Sequence, residues 1–158
     1  MMTTYYHPPS HLRVALINPV LRFMVLRFGL GSSGEQDVMR ILRVKGRTSG
    51  REYDVPVRVA VWEGQRYVLS MLGEAQWVRN LRAAAEAQIV VGKKVENIRT
   101  QEILGEEKIA FLTWYCQHPD YAMRARFALG ADTQRLTPEE VARLAGLFPV
   151  FRFDKPER

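Results

Sequence analysis

Residues 55–61 read Val-Pro-Val-Arg-Val-Ala-Val, and this stretch decides the fold because valines occupy every second position. Apolar residues at a period of two are typical of a β-strand that buries one face. Glu63-Gly64 follows as a hairpin turn, and residues 66–71 read as the returning strand. Residues 38–44 form another apolar run before it. The middle of the chain is therefore predicted to be antiparallel sheet.

The pattern continues outward on the C-terminal side. A second hairpin is predicted around Gly92, with strands at 88–93 and 95–104, and 148–153 could add a last strand. Helices are predicted at 75–87, 105–117, 120–129 and 137–144, the last opened by a capping box at Thr137. Five or six strands, mostly in hairpins, with peripheral helices predict an α+β protein with a mainly β core, a small barrel or half-barrel.

The N-terminal part reads differently. Residues 1–18 are expected to be an irregular arm, and Asn18-Pro19 is a start signal for a helix over 19–28. That helix is apolar nearly all round, interrupted by Arg22 and Arg27. It is either buried against the sheet or lies on a membrane surface with its arginines reaching outward. We expect one domain over 19–158.

Composition excludes several classes of protein. The 158 residues are 47% hydrophobic and 25% charged, which suits a single globular domain. One cysteine and three histidines argue against a disulfide framework and against a metal site. The net charge of +6 is spread along the chain without a basic block, so a nucleic-acid partner is not expected. With neither a signal peptide nor a membrane span apparent, we expect a cytoplasmic protein, with membrane association through 19–28 as the remaining option.

Two segments carry candidate chemistry. Residues 46–51 read Gly-Arg-Thr-Ser-Gly-Arg between two strands, and their glycines, hydroxyls and arginines suit an anion cradle. A basic hairpin turn explains the same residues equally well. Residues 73–82 place a glycine before a helix start, another favourable position for phosphate. Trp77 and Leu81 share one face of that helix, with Asn80 on the adjoining face, and taken alone this segment favours a core role for Trp77 and Leu81.

Together these segments resemble the deazaflavin-dependent nitroreductase and quinone reductase family. The resemblance rests on GRTSGR at 46–51, VPV at 55–57, RYVLSMLGEAQWVRNLRA at 66–83 and FPVFRF at 148–153. It covers residues 38–104 well and the rest of the chain more loosely. It implies a split β-barrel of the FMN-binding type, coenzyme F-420 as cofactor, and hydride transfer to a quinone, a nitroaromatic compound or an activated double bond.

The resemblance also implies a cofactor site. The 46–51 loop would hold the phosphate and tail, two residues of the following strand would pack on the deazaflavin ring, and the backbone of 70–73 would meet the ring's polar edge. The implied residues are Arg47, Thr48, Ser49, Gly50, Arg51, Pro56, Val57, Ser70, Met71, Leu72, Gly73, Trp77 and Asn80.

On the substrate side, the resemblance points to Tyr121, with His118 nearby. A phenol could hydrogen-bond the substrate oxygen, and an imidazole could relay a proton near neutral pH. A helix boundary at Pro119 explains the same residues equally well. The alternative function on this fold is a non-catalytic binder of a lipid, an isoprenoid or flavin mononucleotide (FMN). The partner expected is a small molecule, and the protein is expected to be a monomer or a homodimer.

Overall fold

The computed structural model describes residues 37–119, 121–122 and 136–154. The predicted arm at 1–18 and the predicted helix at 19–28, with its membrane contact, lie outside these residues. Most of the helix predicted at 120–129 also lies outside them. The strands and helices that carry the candidate site are described almost completely.

Six strands and three helices make up the described part of the chain. The strands are β1 (Asp37–Lys45), β2 (Glu52–Trp62), β3 (Gln65–Leu69), β4 (Glu86–Val91), β5 (Lys94–Glu102) and β6 (Val150–Asp154). The helices are α1 (Gln76–Ala84), α2 (Gly105–Gln117) and α3 (Pro138–Leu147). None of these three helices has the length and apolar composition that crossing a bilayer requires.

The strands close into an antiparallel barrel in the order β1-β2-β3-β6-β5-β4. Strand β2 runs along the whole of β1, from Lys45 opposite Glu52 to Asp37 opposite Ala60. Closure depends on β6, which pairs with β3 on one side and with β5 on the other. The predicted α+β barrel is confirmed, and the last strand, which the sequence left open, completes it.

The barrel interior is filled by the residues that alternate inward along each strand. They include Leu42, Val44, Val57, Val59, Val68, Ile89, Ile98, Phe151 and Phe153. Val78 and Leu81 of α1 join the same cluster and are fully buried. Helix α1 therefore closes one end of the barrel, the end that also carries loops 46–51 and 70–75. We call it the upper end, and the end with turns 63–64 and 92–93 the lower end.

Charged side chains lie at the lower end. The guanidinium of Arg66 on β3 donates to both carboxylate oxygens of Glu96 on β5, at 2.8 and 2.7 Å. Arg40 on β1 is half-buried nearby, and its pKa is lowered, first by burial and then by the positive charge of Arg66. The ion pair ties two strands of the barrel that are not neighbours.

Helices α2 and α3 cover the outer face of β2, β3 and β6. The contact is a second apolar cluster that includes Ala60, Tyr67, Phe111, Leu112, Tyr115, Cys116, Val141, Leu144, Phe148 and Val150. Helix α3 starts with the predicted capping box, in which Thr137 accepts from the Glu140 N–H and its own N–H donates to the Glu140 carboxylate. The two helices form a layer beside the barrel, at some distance in sequence from the 46–51 loop.

Helix α1 is shorter than the predicted 75–87. It ends at Ala84 because Ala85 adopts a left-handed conformation with φ of 55°. The chain then enters β4 at Glu86, where Ala87 turns inward opposite Ile98. The alanines favour helix by propensity, but the pairing of β4 with β5 determines where the helix stops.

Candidate functional site

The 46–51 loop is a closed turn. The Gly46 N–H donates to the Arg51 carbonyl at 2.8 Å, and the Gly50 N–H donates to the Gly46 carbonyl at 2.9 Å. The Ser49 side chain stabilises the loop, because its hydroxyl accepts from the Arg51 N–H at 3.2 Å and lies 3.1 Å from the Tyr53 hydroxyl. Gly50 has φ of 66°, a conformation that glycine adopts without strain. These bonds give the loop a fixed shape.

Arg47 connects this loop to helix α1. Its Nη1 donates to the side-chain oxygens of Gln76 and Asn80, both at 3.0 Å. Its backbone N–H also donates to the Asn80 oxygen at 3.3 Å. Asn80 is 7% exposed, so this oxygen is held in place by the surrounding core. The two segments that the sequence singled out are therefore in direct contact.

The positive charge of the loop is not neutralised within the described part of the chain. Lys45, Arg47 and Arg51 have no carboxylate oxygen within ion-pair distance among residues 37–119, 121–122 and 136–154. Within the same residues, the backbone N–H groups of Thr48 and Ser49 have no hydrogen-bond acceptor. Exposed N–H groups beside uncompensated cations form a surface that favours an anion.

Two other arginines at the upper end, Arg82 and Arg43, are neutralised. Arg82 on α1 donates to both oxygens of Glu74, at 2.6 and 2.7 Å, and to both oxygens of Glu102, at 2.5 and 2.7 Å. Arg43 on β1 binds both oxygens of Asp54 at 2.7 and 3.0 Å. These pairs hold α1 to β5 and β1 to β2. Lys45, Arg47 and Arg51 at the loop differ from Arg43 and Arg82 in lacking a carboxylate partner among the described residues.

The turn at 70–73 lies beside α1 and packs on the end of α3. The Ser70 hydroxyl donates to the Gly73 carbonyl at 2.8 Å, and the Ser70 N–H donates to the Pro149 carbonyl at 2.9 Å. Gly73 has φ of 64°, and a Cβ added there would lie 3.3 Å from the Leu147 carbonyl oxygen. Glycine is needed at 73 for both reasons. Ser70 is buried, whereas Leu72 is exposed.

Pro56 and Val57 point to opposite faces of β2, as neighbouring residues of a strand must. Val57 belongs to the cluster inside the barrel, so Pro56 is the one whose side chain lies on the outer face. Trp77 is half-buried and packs on Phe151, with ring centroids 6.2 Å apart. Together with the full burial of Leu81, this makes the Trp77 face of α1 part of the barrel core.

His118 and Tyr121 lie in an aromatic cluster at the end of α2. The Tyr121 ring stacks on Tyr115 with centroids 4.5 Å apart, and its centroid lies 5.1 Å from that of His118. Tyr121 is 0% exposed, whereas His118 is half-buried. Burial, more than the neighbouring Tyr121, raises the pKa of the Tyr115 phenol. The imidazole is therefore the more accessible of the two predicted groups.

Met71 connects the two regions. It lines a small cavity of about 10 Å³ together with Tyr115, Cys116 and four other apolar residues. The turn at 70–73 thus reaches the ring on which Tyr121 stacks. Burial raises the pKa of the Cys116 thiol to about 11, so this cysteine is a packing residue at neutral pH.

A larger cleft, of about 620 Å³, opens on the outer face of β1, β4 and β5. It shares Lys45 with the base of the 46–51 loop. Its other lining groups include Arg43 and Arg99, the carboxylates of Glu52 and Glu86, and the paired amides of Gln88 and Asn97. The charges of its lining are mixed, in contrast to the loop.

A closed six-stranded antiparallel barrel with peripheral helices and a basic loop at its upper end defines a split-barrel protein. Residues 24–138 match the sequence profile of the family described as F-420H(2)-dependent quinone reductase. The match covers most of the chain, which therefore belongs to that family. No curated protein sequence is significantly similar to it.

Solved structures share the fold at low sequence identity. One, described as a domain-swapped dimer, is 16% identical with a TM-score of 0.50, covering 92% of this chain and all of that one. An F-420-H2-dependent reductase named FDR-A is 21% identical with a TM-score of 0.47, covering 73% of this chain and 93% of that one. A conserved hypothetical protein from Mycobacterium tuberculosis is 13% identical with a TM-score of 0.49, covering 99% and 87%.

The donor set of the loop suits the anionic part of coenzyme F-420. A phosphate diester and carboxylates require N–H and guanidinium donors. The loop offers the backbone N–H groups of Thr48 and Ser49 and the guanidinium of Arg51, which have no acceptor among the described residues. Gly50 adds open space, since a Cβ there would meet no atom within 4 Å. On this test the residues present fit the cofactor that the family name implies.

Sequence reasoning missed two residues of the site, Gln76 and Tyr53. Gln76 precedes Asn80 by four positions, so helical spacing could have placed both on one face. The Tyr53 ring lies against Gly46, where an added Cβ would be 2.6 Å from Tyr53 Cε2. Tyr53 is the second residue of β2 and therefore lies at the upper end of the barrel. Its contact with Gly46 depends on the conformation of the 46–51 loop, which the sequence does not predict.

Proposed function

We propose that the protein is an F-420H2-dependent reductase that transfers hydride to a quinone, a nitroaromatic compound or an activated double bond. The observation that carries the proposal is the uncompensated positive charge of the 46–51 loop, held by Arg47 against α1. The family of the chain agrees with this reading. The bound cofactor would supply the hydride, and the protein would bind, orient and shield it.

In this proposal the loop binds the anionic part of the cofactor. Arg51 and the N–H groups of Thr48 and Ser49 donate to phosphate, while Arg47 is held by α1. The backbone of the 70–73 turn and the outer face of Pro56 flank the ring. Met71 would lie on the other side of the ring. Its side chain also contacts the cavity lined by Tyr115, which belongs to the aromatic cluster.

On the substrate side, His118 and Tyr121 are the proposed donors. Hydride addition to a carbonyl or nitro group leaves negative charge on oxygen, which a nearby N–H or O–H group stabilises. His118 could donate from its half-buried position. Tyr121 would need the cluster to open, because its side chain is fully buried.

This burial is the observation that favours the second candidate, a non-catalytic binder of a lipid, an isoprenoid or FMN on the same fold. Such a protein would need the pocket and the loop but no exposed phenol. The two candidates differ in one measurable property: the reductase would reduce an acceptor with F-420H2 as hydride donor, whereas the binder would not.

The test is parallel titration of the purified protein with F-420 and with FMN, followed by acceptor reduction with F-420H2. We expect F-420 to bind, and Arg51→Ala to weaken its binding about tenfold or more, since a charge-assisted contact contributes about 1.5–3 kcal/mol. Lys93→Ala is the matched control, because Lys93 is an exposed cation in the 92–93 turn at the lower end.

Binding of FMN in preference to F-420, or binding of F-420 without acceptor reduction, would favour the second candidate. Equal affinities for the Arg51→Ala variant, the Lys93→Ala variant and the parent would show that the loop is not the phosphate site.

A further inference from the structure

Arg47 differs from Arg43 and Arg82, two arginines of the upper end, in the chemistry of its partners. Its Nη1 donates to two neutral amide oxygens, those of Gln76 and Asn80, each at 3.0 Å. Arg43 and Arg82 bind carboxylates instead. A guanidinium held by neutral acceptors is fixed in orientation and keeps its full positive charge.

Only Nη1 of the Arg47 guanidinium takes part in these hydrogen bonds, and the edge formed by Nε and Nη2 is available. Both hydrogens on Nη1 are directed to the two amide oxygens. Within the described residues, the Nε and Nη2 hydrogens of Arg47 have no acceptor. These two nitrogens form the fork that binds two oxygens of a phosphate or carboxylate group in parallel. The supporting amides thus select which edge faces outward.

Helix α1 provides the acceptors at fixed positions. Gln76 and Asn80 are four residues apart and therefore lie on the same side of the helix. Asn80 is anchored by burial, and its oxygen also accepts from the Arg47 backbone N–H. Gln76 is exposed, so its side chain can be changed without disturbing the core.

We propose that Gln76 and Asn80 are positioning residues that hold Arg47 by neutral acceptors, so that its Nε–Nη2 edge binds an oxyanion of the cofactor. The inference rests on the proposed function for the identity of that anion, and on the hydrogen bonds alone for the orientation of Arg47. A glutamate at position 76 would hold Arg47 as firmly but would neutralise it. An amide is therefore required for binding, although not for stability.

The experiment compares Gln76→Glu with the parent and with Gln65→Glu. Gln65 is exposed in the turn region at the lower end, so the control adds the same charge far from the loop. We expect Gln76→Glu to have an unfolding temperature equal to or above the parent's, and an F-420 affinity lower by about tenfold or more. Gln65→Glu should match the parent in affinity.

A second readout does not need the cofactor. In ¹H–¹⁵N spectra, titration with inorganic phosphate should shift the Arg47 Nε resonance of the parent and leave it unmoved in Gln76→Glu. An F-420 affinity unchanged by Gln76→Glu, in a parent that binds F-420, overturns this inference and leaves the proposed function standing. A parent that binds no F-420 overturns the proposed function. In that case the phosphate titration decides the inference, and an unmoved Arg47 resonance in the parent refutes it.

Discussion

Substitution of Gly46 by alanine tests the shape of the loop directly. Gly46 is buried, and an added Cβ would lie 2.6 Å from Ser49 Oγ and 2.6 Å from Tyr53 Cε2. No real Cβ contact is this short, so both neighbours must move. Rotation of the Ser49 side chain breaks its contacts with the Arg51 N–H and the Tyr53 hydroxyl, and the Tyr53 ring must shift as well.

The size of the effect follows from those contacts. Each lost hydrogen bond costs about 0.5–1.5 kcal/mol, and overpacking of a well-packed site costs about 1–3 kcal/mol. Alanine recovers about 0.4–1 kcal/mol by restricting the unfolded chain. Both hydrogen bonds are solvent-exposed, so the low end of these ranges applies, and we expect a net loss of about 1–2 kcal/mol. For a protein of this size that lowers the unfolding temperature by about 2–8 °C. The displaced loop should also weaken F-420 binding.

Thermal unfolding and F-420 titration measure the two effects. Gly146→Ala on α3 is the matched control, because a Cβ there meets no atom within 4 Å. It should leave stability unchanged or raise it, since alanine favours a helix. In a Ser49→Ala, Tyr53→Ala background the cost of Gly46→Ala should largely disappear. A cost that persists in that background would refute the steric explanation.

Three further predictions concern the α2–α3 layer. Tyr121→Phe should lower kcat/KM for a quinone or nitro acceptor at least about tenfold with F-420 affinity little changed, and unchanged turnover in steady-state assays would make Tyr121 a packing residue. Cys116 should resist iodoacetamide at pH 8 in the folded protein and react after denaturation, because its pKa of about 11 keeps the thiol protonated until the pH approaches that value; rapid alkylation of the native protein, followed by mass spectrometry, would contradict its burial. Thr137→Ala removes one half of the capping box and should cost about 1 kcal/mol in chemical denaturation, whereas Thr137→Ser should be close to neutral.

The parts of the fold that follow from local physics were predictable. The four alternating valines of 55–61 form the centre of β2, and all four are buried or half-buried, as the period of two requires. The capping box at Thr137 opens α3 where the sequence indicates. Helix α3 extends to Leu147, beyond the predicted end near residue 144, because Leu144 and Phe148 pack into the layer on β6.

The candidate site was predictable in its segments but not in its contacts. The motifs placed Arg47 and Asn80 in one region, but the hydrogen bond between them joins residues 33 positions apart in sequence. The opposite directions of Pro56 and Val57 follow from strand geometry once the strand is accepted. The burial of Tyr121 depends on stacking with Tyr115 across a helix end, which no spacing rule indicates.

Closure of the barrel by β6 has a consequence for the order of events during synthesis. Strand β3 ends at Leu69 and β6 starts at Val150, so the partner of β3 emerges from the ribosome some 80 residues later. Until then the edges of β3 and β5 present unpaired backbone groups, which are templates for pairing with another chain. During synthesis the chain therefore passes through an open sheet in which the edges of β3 and β5 are unpaired. Neighbouring nascent chains on the same mRNA are most prone to intermolecular strand pairing in this interval.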